Sequence, residues 1–374
     1  MEMKMVCAGG GTGGHIYPAL SVADVLTSRF PDLKTLFVGT KSGLESSVVP
    51  EAGYEIEFIV ARGVRGRGYL GKALTLASVC IGFIQALLIL LRFKPGLVFG
   101  SGGYASASVV MAASLLRRKV VLQEQNSVPG LTNRLLAPRA ERVYLGFEKA
   151  AGYLRDHPGV RVTGNPLRSV LLEPCPGEPR KAFGLGDEMP VLLVFGGSQG
   201  ARNLNRAAVD YLLRHERVQA ILQTGTGDYT WVRTEMEQCA DRVYVSPYIS
   251  EIHLAYGAAD VALARAGALS VSELAAVGLP AILVPYPYAA DDHQAHNATL
   301  LVEAGGALVI EDDRLDGGTL GDVLDPLLAD TGRLERMRNA LEAVASREAA
   351  GRIADDIQHL CGWGADATKA GGGS

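Results

Sequence analysis

"CAGGGTGGHIYPAL", residues 7–20, decides the fold of the first half of this chain. Five glycines in six positions follow the apolar run 3–8, and a histidine follows the glycines. In "HIYPALSVADVLTSRF" Leu20, Ala23, Leu26 and Phe30 recur at helical spacing, and Pro18 is expected in the first turn, where proline is tolerated. A second apolar run, 34–38, comes next. Strand, glycine turn, helix and strand make a βαβ unit, which requires a parallel sheet. The backbone N–H groups of such a turn, at a helix N-terminus, ordinarily hold phosphate. His15 at the turn's exit is the departure that needs a reason.

Working outward, further strands are expected at 55–60, 97–100, 119–122 and 142–145. Residues 164–190 are rich in proline and glycine and read as a connection. The pattern then restarts in "PVLLVFGGSQGARNLNRAAVDYLL" (190–213), with strands expected at 219–223, 242–245, 260–264, 281–284 and 307–310. The fold class is α/β, with two Rossmann-like, doubly wound parallel-sheet domains at 1–164 and 165–340. A chain of 374 residues agrees with two domains, because single cores stop growing at about 250–300 residues. A helical pattern occupies 333–360, and 362–374 reads as a flexible tail.

Composition excludes several classes. The chain is 48% hydrophobic and 20% charged, as a globular protein is. Cys7, Cys80, Cys175, Cys239 and Cys361 show no CxxC spacing, which argues for a reducing compartment and against a zinc site or a disulfide framework. The N-terminus lacks the features of a signal peptide, so export is not expected. Residues 1–164 carry a net charge of +8 and residues 165–374 carry −12, which together give the −4 of the chain. The basic half suggests an anionic partner. Residues 73–91 carry no charge, and Arg62, Arg65, Arg67, Lys72, Arg92 and Lys94 flank them. A spanning helix would break the βαβ series. A buried crossover helix and a helix resting on an anionic membrane surface both stay open.

Gly9-x-Gly11-x-x-Gly14 matches the dinucleotide fingerprint, but the second strand ends in "FVGTKSG" (37–43), without the acid a nicotinamide site needs. Gly196-x-Ser198-x-Gly200 matches a nucleophile elbow, and His253, His293, His296 and His359 keep a serine hydrolase open. A phosphate turn explains the same residues. Glycine turns also follow strands in "FGSGGYAS" (99–106), "TGTGDY" (224–229) and "ARAGALSVSE" (264–273). In doubly wound sheets such turns gather at the strands' carboxyl ends, and two such domains facing across a cleft suit a bulky diphosphate-bearing substrate. Glu273, one turn into a helix, is either a cap or a carboxylate for ribose hydroxyls. Asp292, His293, Gln294 and Asn297 suit the hydroxyls of a sugar.

Seven stretches in this order and spacing resemble the MurG family of bacterial transferases: "GGGTGGHIYPAL" (9–20), "GSGGYAS" (100–106), "QEQNSVPGLTNRLLA" (123–137), "GNPLR" (164–168), "GGSQGARNLN" (196–205), "RAGALSVSELAAVGLPAILVPYP" (265–287) and "DHQAHNA" (292–298). The resemblance implies the GT-B architecture, with UDP-N-acetylglucosamine as donor and lipid I, the undecaprenyl-diphosphate-linked muramyl pentapeptide, as acceptor. The product would be lipid II. It also implies that the first domain takes the acceptor and that a helix at 341–358 crosses back to it. Donor contacts carried over are Thr12, Gly13, Gly14, Asn126, Arg168, Ser198, Ile249, Ala268, Leu269, Ser270, Val271, Ser272, Glu273 and Gln294. Gln123 stands where the family commonly has histidine, and His293 lies in a loop that is glutamine-rich in the family. Peripheral attachment to the cytoplasmic face of the membrane through 73–91 is implied, as are cell-wall synthesis and division proteins as partners. Nucleic acid is not expected.

Displacing UDP needs a base for the acceptor hydroxyl and stabilisation of the leaving diphosphate. The chain has no Asp-x-Asp motif, so no essential metal and no cofactor are expected. A helix N-terminus disfavours an imidazolium. His15 is therefore the candidate base, with a positioning role as its alternative and Glu124 as the other candidate.

Overall fold

The structure is a computed structural model that describes residues 2–61, 69–154, 156–197 and 200–364, with the side chains of 69–77 left aside. Ser198, Arg62, Arg65, Arg67 and most of the expected tail lie outside the described residues, as does the side chain of Lys72. The chain divides into two compact units. One runs from Met1 to Arg168 and includes the segment from Arg347 onward; the other is Ser169–Ser346.

Unit 1 holds seven strands: β1 (Lys4–Ala8), β2 (Lys34–Gly39), β3 (Glu55–Phe58), β4 (Leu97–Gly100), β5 (Lys119–Glu124), β6 (Arg142–Leu145) and β7 (Val160–Val162). They form one parallel sheet in the order β3-β2-β1-β4-β5-β6-β7. The order reverses at β1, so the first glycine turn sits at the switch point, where such sheets bind ligands. Ala8 lies beside Gly100 in the ladder, which brings the turns after β1 and β4 together.

Unit 2 holds β8 (Val191–Phe195), β9 (Gln219–Gln223), β10 (Val243–Ser246), β11 (Val261–Ala264), β12 (Ala281–Leu283) and β13 (Ala307–Val309). Their order, β10-β9-β8-β11-β12-β13, is also parallel and reverses at β8, directly before the second glycine turn. Both sheets lie between helices, and their strands are near-continuous apolar runs because both faces are covered.

Several details differ from the sequence reading. The edge strand β7 was not expected: it is short, and two of its three residues are exposed. β5 extends to Glu124, so that candidate base is the last residue of a strand. The first helix is Gly13–Arg29, which puts Pro18 in its second turn and leaves the Gly14 carbonyl without an i+4 donor. No single helix occupies 341–358. The helix Thr331–Val344 ends, and a separate helix, Ala349–Cys361, follows. That last helix packs on Gly13–Arg29, burying Ile353, Ala354 and Ile357 with Ile16, Ala19 and Leu26. Asp356 accepts from the Tyr144 hydroxyl at 2.8 Å and pairs with Arg142 at 3.0 Å. All five cysteines are free.

Ile357 is fully buried in this contact. Ile357→Ala should cost about 2–5 kcal/mol. Denaturant unfolding followed by circular dichroism should show a lowered midpoint; an unchanged midpoint would mean that the helix adds nothing to the core of unit 1.

Candidate active site

Three strand-end turns meet in unit 1. Gly9–Gly14 follows β1, Ser101–Gly103 follows β4 and Gln125–Gly130 follows β5. The His15 ring crosses from the first turn to the second, with Nδ1 3.0 Å from the Ser101 carbonyl oxygen. A carbonyl can only accept, so Nδ1 carries the proton, and the basic lone pair of the neutral ring lies on Nε2. Gly102, at a φ of +96°, leaves room for the ring; a Cβ there would lie 3.0 Å from the imidazole. Cys7, two residues before the turn, is buried, and burial pushes its thiol well above the ordinary range, which removes it as a nucleophile.

Glu124 is 2% exposed. Its Oε1 accepts from Asn126 N at 2.9 Å and Asn126 Nδ2 at 3.2 Å. Its Oε2 accepts from Gly130 N at 2.9 Å and Asn133 Nδ2 at 2.9 Å. Gln125 Nε2 donates to the same Ser101 oxygen as His15, at 2.9 Å. Asn165 ties this turn further: its Nδ2 donates to the Gln125 carbonyl, and its Oδ1 accepts from Gln123. Thr12 caps the first helix with its backbone, accepting from His15 N at 3.1 Å, and Gly13 and Gly14 form the helix start. Arg168 belongs to unit 1, with its guanidinium 4.4 Å from the centre of the Tyr17 ring.

In unit 2 the turn after β8 needs glycine at 200, where φ is +76° and a Cβ would lie 2.0 Å from the Thr224 carbonyl oxygen. Gln223, at the end of β9, joins two segments. Its Nε2 donates to the Gly197 carbonyl at 3.3 Å, and its Oε1 accepts from Ile249 N at 3.0 Å. The helix Ala268–Val277 opens with Ala268, Leu269 and Ser270, the Val271 N–H already donates to the Gly267 carbonyl at 2.9 Å, and the Ser272 hydroxyl bonds back to the Ala268 carbonyl. Glu273 does not cap this helix. Its Oε2 accepts from the Tyr256 hydroxyl at 2.8 Å, and both residues are buried. Gln294 Oε1 accepts from Tyr286 N at 2.9 Å, so the NH2 end is the one that can donate to a ligand. No motif in the sequence points to Gln223, Tyr256 or Glu45. Each acts through a contact that no short motif encodes.

Two family models match: the glycosyltransferase family 28 N-terminal domain over residues 5–145 and its C-terminal domain over 191–353. A protein from Chlorobaculum parvum is 44% identical over 94% of this chain and 98% of its own length. One from Chlorobium limicola is 39% identical over 96% and 99%. Both are named UDP-N-acetylglucosamine--N-acetylmuramyl-(pentapeptide) pyrophosphoryl-undecaprenol N-acetylglucosamine transferase. The chain belongs to this transferase family. Among solved structures, MurG of Acinetobacter baumannii superposes with a TM-score of 0.73 at 27% identity, covering 96% of this chain and all of that one. A calicheamicin glycosyltransferase, 17% identical with a TM-score of 0.67 over 98% of this chain and all of its own, shares the fold. The two α/β units are therefore those of the GT-B architecture. The family match replaces the nicotinamide and hydrolase readings of the glycine motifs.

Glu124→Gln would turn an amide NH2 toward two of the four donors that the carboxylate now accepts. Each buried donor so orphaned should cost about 1–3 kcal/mol. A thermal melt should show the loss; an unchanged melt would mean that Glu124 does not hold the turn.

Proposed function

We propose that this chain is an inverting hexosyltransferase that moves N-acetylglucosamine from UDP-N-acetylglucosamine to the 4-hydroxyl of the muramyl sugar in lipid I, giving lipid II and UDP. Membership of the family supports the substrates. The observation that carries the chemistry is the His15–Ser101 bond, which leaves Nε2 as the atom that takes the proton. The acceptor hydroxyl gives its proton to His15 Nε2, and its oxygen attacks the anomeric carbon. The bond from that carbon to the diphosphate breaks, and UDP leaves with the electron pair. A single displacement inverts the centre and gives a β-linkage.

The remaining residues have roles on either side of that step. The helix start at Ala268–Val271, the turn containing Ser198 and the Arg168 cation stabilise the leaving diphosphate. Ile249 reads the uracil edge with its backbone, held in place by Gln223. Glu273, held by the Tyr256 hydroxyl at Oε2, takes the ribose hydroxyls. Gln294, Asn126, Thr12, Gly13 and Gly14 contact the sugar. Glu124, whose oxygens already accept four hydrogen bonds, positions the turn that carries Asn126 and leaves the base role to His15.

A lipid surface is the proposed site of action. Among the described residues no helix is long and apolar enough to cross a membrane. Ile81, Ile84, Leu88 and Leu91 instead form one exposed stripe on the helix Tyr69–Phe93. Exposed Met111 and Leu115 lie on the helix Gly103–Leu115 packed beside it, and exposed Leu131 and Leu135 lie on the helix Leu131–Leu136. Lys94, Arg117 and Arg139 are exposed in the same unit, while Arg92 pairs with Glu57. Such a surface suits the anionic cytoplasmic face of a membrane. The family's link to cell-wall synthesis and division suggests protein partners there.

Mass spectrometry of enzyme, UDP-N-acetylglucosamine and a short-chain lipid I analogue, without added metal, tests the reaction. The acceptor should gain one N-acetylhexosamine. No gain, with or without magnesium, while UDP-N-acetylglucosamine still binds would overturn the acceptor assignment. His15→Ala should lower kcat by about 100-fold or more; a loss confined to the KM for acceptor would reduce His15 to positioning. Leu88→Glu combined with Ile84→Glu should abolish sedimentation with vesicles of anionic phospholipid, and retained sedimentation would refute the lipid-facing stripe.

A further inference from the structure

Glu45 begins the short helix Glu45–Glu51, yet its side chain is fully buried beneath the first glycine turn. Its Oε2 accepts from Gly11 N at 2.8 Å. Its Oε1 accepts from Thr40 N and from Thr40 Oγ1, each at 2.8 Å. Three glycines from three segments leave space for the carboxyl. A Cβ would lie 2.2 Å from Oε1 at Gly10, 2.5 Å from Cγ at Gly39 and 2.0 Å from Oε2 at Gly43. All three partners donate, and the two carboxyl oxygens between them accept all three bonds. Burying a carboxylate costs several kcal/mol unless its lone pairs are satisfied, and here the satisfying groups are those of the turn itself.

This arrangement changes the meaning of the turn. In a phosphate turn the N–H groups point to a ligand; here the Gly11 N–H is already held by an internal anion. From Gly11 the chain passes to Thr12, whose carbonyl accepts from His15 N, while Ser101 holds the far side of the ring. The base is thus fixed at two ends, by Glu45 through the backbone and by Ser101 through the imidazole. We propose that Glu45 is a positioning residue for the transfer step, locking the Gly9–Gly14 turn so that His15 Nε2 faces the acceptor hydroxyl. The inference rests on the reading of His15 as the base.

The test is a double-mutant cycle in the full chain, assayed with UDP-N-acetylglucosamine and a water-soluble lipid I analogue. Glu45→Gln keeps the side chain's size but puts an NH2 opposite N–H donors. It should lower kcat by about 10–100-fold, as a misplacement on the order of 1 Å does. UDP affinity, measured by calorimetry, should stay within about twofold, because the donor contacts of unit 2 are untouched. In a His15→Ala background the same change should cost less than about threefold, because residues acting through one another are not additive. The full loss persisting in that background, or UDP affinity falling in step with kcat, would overturn the role. If Glu45→Gln does not fold, Thr40→Val removes one bond to Oε1 and should show a smaller loss with the same kcat-only pattern; an effect on UDP affinity alone would again overturn it. A fully active His15→Ala would instead strike the base reading, which separates that failure from this one.

Discussion

The carbonyl oxygen of Ser101 is the point on which unit 1 turns. It accepts from His15 Nδ1 and from Gln125 Nε2, so one backbone atom joins the ends of β1, β4 and β5. Parallel strands in adjacent register bring their carboxyl ends to one edge, and that edge is mostly loop. Loops with many glycines have little side-chain packing to hold them. Buried polar groups do this work here: Glu124 and Asn165 at the turn after β5, and Glu45 under the turn after β1. Hydrogen bonds in such a setting are directional, and they set the tautomer of the histidine as well as its place.

The two units use the same architecture for different purposes. Each sheet reverses at its first strand, and each reversal carries a glycine turn. In unit 2 a neutral amide, Gln223, ties the turn to the segment at Ile249. In unit 1 a carboxylate ties the turn to β2's exit at Thr40. A neutral tie leaves room for an anionic ligand, whereas an internal anion does not invite a second one. The turns thus run opposite to the net charges of the halves: the basic half holds the internal carboxylate and the acidic half the neutral amide.

Much of the fold was legible in the sequence because both sheets are parallel and covered on both faces. Their strands stand out as apolar runs between glycine turns and helical patterns, and all but β7 could be placed from those runs. β7 escaped because a three-residue edge strand with exposed polar neighbours has no such signature. Residue type and motif single out His15, Glu273 and the helix start at Ala268, and the proposed site is built on them. It was not legible where a role depends on a long-range contact. Glu45 looks like an ordinary first-turn acid, and only the fold shows three glycines making way for it. Glu124 is a candidate base by residue type, a carboxylate beside a polar loop; that its oxygens accept four hydrogen bonds depends on Asn126, Gly130 and Asn133 and is not written in any motif.

The tautomer of His15 tests the central claim most directly. Nitrogen-15 spectra of the ring-labelled protein, with His15 assigned by its loss in His15→Ala, report which ring nitrogen carries the proton. The expected result is a protonated Nδ1 and an unprotonated Nε2 in the neutral ring. A protonated Nε2 in the neutral ring would set the Nδ1 lone pair against the Ser101 carbonyl and leave Nε2 without a lone pair for the acceptor's proton, which would contradict the assignment of His15 as the base.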